Sequence, residues 1–86
     1  MWIKMTQTVK PELPFLATQD TFLCAGLEYE ATANQHGAIS GVCENGVKMG
    51  VRPGEFLFVS APSWIIDIWL MAYPEACKGV VVEGKV

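Results

Sequence analysis

Apolar and polar positions alternate with period two over much of the middle of the chain, the signature of half-buried strands. From Thr21 to Ala31, Leu27, Tyr29 and Ala31 fall on one side and Glu28 and Glu30 on the other. Gly26 inside this run predicts a bulge or sharp bend. Ile39 to Val51 reads as a hairpin folded about Asn45-Gly46, a pair suited to a type I′ turn because both central residues need positive φ. A two-residue loop there predicts Glu44 opposite Val47, Cys43 opposite Lys48 and Val42 opposite Met49. Val42, Val47, Met49 and Val51 then face the core, and Cys43, Lys48 and Arg52 face away. Glu55 to Val59 is apolar on both sides and predicts a strand with two-sided burial, and Gly79 to Glu83 predicts a last short strand.

Breakers punctuate these runs. Asn34-Gln35-His36-Gly37 reads as a turn into the hairpin, and Arg52-Pro53-Gly54 as a type II turn out of it. Pro11 and Pro14 forbid a long helix or a central strand around them, so residues 1–20 are expected to form an extended arm docked through Leu13, Phe15 and Leu16, ahead of a β core over residues 21–86. Met5 is an equally good start, which would make Met1 to Lys4 an optional leader.

The run from Trp64 to Tyr73 resists periodicity, being apolar on every face except at Asp67. Its isoleucines and aromatics favour a strand; Ser63 as an N-cap, Leu70-Met71-Ala72 and the stop at Pro74 favour a helix of about three turns. The balance leans to strand. In either form Trp64, Ile65, Trp69 and Met71 are too many large apolar groups for so small a domain to cover, and a contiguous patch of that kind marks an interaction site.

The order of a Gly-Leu-Glu-Tyr-Glu strand (residues 26–30), a turn, the Asn45-Gly46 hairpin and then Pro53-Gly54-Glu55-Phe56 resembles the small SH3-like barrel proteins of bacteriophages and other mobile elements. The resemblance covers about residues 23–59, with Leu27 standing where lysine is usual. It implies a partly open barrel of about five strands with a binding or assembly role, and it carries no catalytic residues across. The fold expected is therefore mainly β: a small SH3-like barrel or curled antiparallel sheet in one domain. The alternative is an α+β arrangement with residues 63–73 as one helix packed on the sheet.

Composition narrows the partners. The chain has 86 residues, 51% hydrophobic and 17% charged, with mean hydropathy +0.29, so its single core is modest and an apolar excess remains. A net charge of -3 with six scattered Lys and Arg offers no basic footprint for nucleic acid or an anionic membrane surface. The longest apolar run falls well short of the roughly 20 residues of a membrane helix. Three unpaired-looking cysteines and no secretory leader point to reduced thiols and a cytoplasmic location.

Candidate chemistry is sparse. His36 and Cys43 could form a base and nucleophile with Glu28, Glu30 or Glu44 as orienter, but a histidine beside a turn glycine is ordinarily solvated. Cys24, Cys43, Cys77 and His36 have zinc-ligand chemistry without the close pair that structural sites present, and buried small cysteines explain Cys24 and Cys77 better. Glu28 and Glu30, about 7 Å apart on one strand face, read as solvated. Asp67 must reach water, pair with Lys48 or Arg52, or have a raised pKa. The recurrent glycines serve turns, with no nucleotide-loop pattern. No catalytic residue, metal or cofactor is expected. The expected role is a non-enzymatic interaction module, a homodimer joined through Trp64, Ile65, Asp67, Trp69, Met71 and Tyr73, with another protein as a second candidate partner. The second expectation is a small-molecule site lined by Trp64, Trp69 and Tyr29.

Overall fold

The computed structural model describes residues 1–10 and 22–84. Six strands, β1 (Trp2–Met5), β2 (Glu28–Ala33), β3 (Ile39–Val42), β4 (Lys48–Gly50), β5 (Phe56–Pro62) and β6 (Val81–Glu83), form one sheet in the order β4-β3-β2-β1-β5-β6. One helix, α1 (Ser63–Ala72), and a 3₁₀ turn (Pro74–Cys77) link β5 to β6. The protein is mainly β as expected. Its sheet is open, with β4 and β6 as edges, and only the β5–β6 pair is parallel.

The first five residues depart most from expectation. Trp2–Met5 is no optional leader: it is the strand between β2 and β5, antiparallel to both, with Ile3 and Met5 sealed in the core. Four residues carried no periodic signal, and only two neighbouring strands make them a strand. Residues 6–10 of the expected arm lie on the core, with Val9 bridged to Leu23, and residues 11–20, with Leu13, Phe15 and Leu16, lie outside the described residues. Where β1 meets β5 the register shifts, with Trp2 opposite Ser60 and Ile3 opposite Phe58, so Val59 is an extra residue. This bulge changes the inward parity of β5 from Phe56 and Phe58 to Ala61.

The 64–73 run is a helix, correcting the lean towards strand. β5 already has β1 on one edge and β6 on the other, so no sheet position remains beside it for the segment that follows. A parallel neighbour also requires a crossover connection, which α1 and the 3₁₀ turn supply. Pro62 occupies the N-cap in extended conformation, placing Ser63 one position inside, and Pro74 ends the helix after the Tyr73 amide donates to the Trp69 carbonyl at 2.6 Å.

The hairpin keeps its place and changes its register. Val42 pairs with Lys48 and Gly41 with Met49, one residue off the expectation, because the loop has three residues, Glu44-Asn45-Gly46. Only Gly46 is left-handed (φ +85), so the turn is not type I′; the Asn45 side chain accepts from the Val47 amide instead. The slip turns over the β3 side of the hairpin, so that Ile39, Gly41 and Cys43 are buried and Val42, expected in the core, is half-buried; Val47 keeps the side of Met49 and Val51 but stands in solvent beside the loop. Arg52–Glu55 is the expected turn, with Gly54 at φ +90 and the Glu55 amide bonded to the Arg52 carbonyl. Gly26 (φ +86) belongs to a turn before β2, and Leu27 in that turn is exposed.

Gly41 has a packing role. A Cβ there would stand 2.8 Å from Leu23 Cδ1, and Leu23 is itself fully buried and has nowhere to move. Gly41→Val is expected to lower unfolding free energy by about 1–3 kcal/mol in urea titrations. At the far side of the sheet the Met1 ammonium sits 2.8 Å from Glu83 Oε1, which also accepts from Ser60 Oγ. These bonds hold the Glu83 carboxyl below the usual carboxylate range. A lowered folded pKa gives stability that is complete above the ordinary Glu range and is lost as pH falls through the depressed value. Glu83→Gln should therefore flatten the acid limb of the stability profile, by no more than about 1 kcal/mol for a pair that is only partly buried.

Candidate functional site

Trp69 is the point at which α1 is fastened. Its indole Nε1–H donates to the Gly37 carbonyl at 2.9 Å in a buried setting, and its ring meets Phe56 and Phe58 edge-on with centroids 5.3 and 5.4 Å away. Tyr73 tilts against it at 5.3 Å. Gly37 is presented by the β2–β3 turn, where Asn34 Oδ1 accepts from the amides of His36 and Ala38 and Gly37 adopts φ +85. Ile68 lies against the same glycine, with two of its carbons 3.2 Å from where a Cβ would stand.

The six residues expected at an interface thus divide. Ile65 and Trp69 point into the core and are not available to a partner. Trp64, Asp67, Met71 and Tyr73 are exposed, Met71 by 91%. Sequence reasoning missed Ile68 and Leu70, which are also exposed. A helical reading would have found Ile68, since residues 64, 68 and 71 lie on one side when 65, 66 and 69 lie on the other. Asp67 is solvated on that outer face and makes no ion pair with Lys48 or Arg52 among the described residues.

Near Trp69 a cleft of about 290 Å³ opens between the β2–β3 turn, the Arg52-Pro53 turn and the last turn of α1. Ile39, Val51, Ile68, Trp69 and Tyr73 make its apolar walls, and His36 and Arg52 stand at it with polar groups. The Arg52 amide donates to Glu55 Oε1, whereas its guanidinium has no partner among the described residues. A second cleft of about 410 Å³ shares Pro53, Ala72 and Tyr73 with the first and continues towards Thr6 and Glu75. Of the three residues expected in an aromatic pocket, Trp69 borders the first cleft, and Trp64 and Tyr29 border neither of these two. Tyr29 is buried in β2, its hydroxyl accepting from the Cys24 amide at 2.8 Å.

The candidate nucleophile is poorly placed for chemistry. Cys43 is buried and burial pushes its thiol pKa up, while His36 is exposed with its ring Nε2 3.3 Å from Gln35 Nε2. Cys77 is buried with the same consequence, and Cys24, expected to be buried, is half-buried. Among the described residues no three His, Cys, Asp or Glu side chains gather where they could hold a metal ion. Asp67 and Glu83 do share a cleft, with Ser63, at the start of α1. Glu83 is held ionised there by Met1 and Ser60 and is not suited to act as an acid. No described helix is long and apolar enough to cross a membrane.

Replacing Trp69 by Phe keeps ring contact but leaves the buried Gly37 carbonyl unpaired. The expected cost is about 1–3 kcal/mol, read from urea unfolding against wild type.

No protein-family model matches the chain, and comparison with curated proteins and with solved structures returns no significant match, so the reading of the site rests on its own geometry.

Proposed function

We propose that the chain is a non-enzymatic interaction or assembly module that works through the outer face of α1, with a second copy of itself as the first partner. The observation that carries this is the row Trp64, Ile68 and Met71, spaced i, i+4, i+7 and exposed by 46%, 41% and 91%. Leu70 is exposed on another flank of the helix and Tyr73, beyond its end, leans on Trp69, so neither continues the row; Ser63 and Asp67 are the only polar side chains in the helix. A helix apolar all round is normally enclosed, and here one side is left open. The role agrees with the binding or assembly function implied by the likeness of residues 23–59 to small SH3-like barrels of phages and mobile elements.

The magnitude sets the kind of association. The three-residue row offers on the order of 400 Å² per copy, against about 800 Å² per partner in a standard interface. Association through this row is therefore weak and concentration-dependent. Light scattering over a concentration series is expected to show a mass rising above the monomer for wild type. Met71→Glu and Trp64→Glu should stay monomeric with an unchanged circular dichroism spectrum. A wild type that remains monomeric, with both variants indistinguishable from it, overturns the self-association reading. Trp69→Glu is uninformative, because it would break the core before reaching any interface.

A further inference from the structure

We propose that the cleft between the β2–β3 turn and the end of α1 is a binding site for a small planar carboxylate, its ring laid against Tyr73 and Ile68 and its anionic group held by Arg52. The site shares Ile68 with the exposed row of α1 and differs from that row in having a cation at its edge.

Three features support it. The first is size: about 290 Å³ lies at the lower end for ligand clefts and suits one ring or a fused pair, not a larger cofactor. The second is the wall. Tyr73 and Ile68 are exposed and give a ligand its apolar contact, while Trp69, Ile39 and Val51 lie buried beneath them as the floor, the Trp69 indole N–H being already spent on Gly37. The third is charge. Arg52 brings a guanidinium with no partner among the described residues, and the imidazole of His36 stands at the same cleft. The nearby Glu55 carboxylate is engaged by the Arg52 backbone amide. A planar guanidinium matches a carboxylate by two parallel hydrogen bonds, which favours that anion over a neutral ligand of the same shape. The floor is held rigid, because the Trp69 bond and the Asn34 turn bonds fix both sides before any ligand arrives.

The test uses the whole chain, with benzoate and indole-3-acetate as probes and benzamide and indole-3-acetamide as neutral counterparts. Nitrogen–proton correlation spectra follow the Trp69 indole and the Gly37 and Ala38 amides. Saturable shifts at these groups are expected, with dissociation constants on the order of 0.1–1 mM for ligands so small. Arg52→Gln, a surface change that keeps the backbone bond to Glu55, should weaken the carboxylates about tenfold and leave the amides unchanged. Ala72→Phe, which fills the mouth of the cleft, should abolish the shifts at Trp69. Each variant is first checked for a wild-type urea midpoint. Shifts that do not saturate or scatter over the surface, equal binding of acid and amide, or indifference to Arg52→Gln would each overturn the proposal.

Discussion

The indole of Trp69 bonded to the Gly37 carbonyl is the constraint on which the arrangement of this protein depends. It joins two segments 32 residues apart and lies where water does not compete. Buried indole and carbonyl groups each carry a desolvation cost that only a partner offsets, so the bond specifies one docking position for α1 more strongly than apolar contact could. Around it the edge-on rings of Phe56 and Phe58 fill the space between helix and sheet, each pair worth about 0.5–1.5 kcal/mol beyond area. Once Trp69 is fixed, helical geometry turns Trp64, Ile68 and Met71 outward. The core contact and the exposed row are two consequences of one orientation.

The sheet depends in turn on β1. Without Trp2–Met5 the three strands β4-β3-β2 and the pair β5-β6 would have no strand between them, and the loss of Ile3 and Met5 would leave the middle of the core empty. The bulge at Val59 adapts β5 to this central strand and then to α1, since it is what turns Ala61 inward just before the helix begins. Gly41 matters for a related reason: it lets Leu23 lie directly on the sheet face beside Ile3. Both are accommodations to neighbours distant in sequence.

The functional surfaces divide by chemistry. The outer side of α1 is a narrow apolar row with the Asp67 carboxylate beside it, which fits association with another apolar surface. The cleft beside it is small, walled by rings and edged by a cation, which fits recognition of one anion. The thiols that might have served an enzyme are withdrawn: burial raises the pKa of Cys43 and Cys77 and so disfavours the thiolate that nucleophilic chemistry needs.

How far the sequence foretold this can be read residue by residue. Tyr29 and Ala31 inward with Glu28 and Glu30 outward, the turn at Arg52-Pro53-Gly54, the β-rich fold and an apolar excess in residues 64–73 were all legible, because alternation, turn chemistry and hydropathy act over a few neighbours. The hairpin was legible in kind but not in register. Asn45-Gly46 serves a two-residue or a three-residue loop equally well, and the choice turned on burying Gly41 and Cys43 under Leu23 and the core. The helix could not be separated from a strand by a pattern apolar on every face; the edges of β5, both already occupied, decided it. The centrality of β1 and the Trp69–Gly37 bond were beyond sequence altogether, since four residues carry too short a pattern and a hydrogen bond between distant segments leaves no local trace. Local chemistry determined which pieces could form. Long-range packing alone decided which of them meet, and so which apolar side chains are core and which are surface.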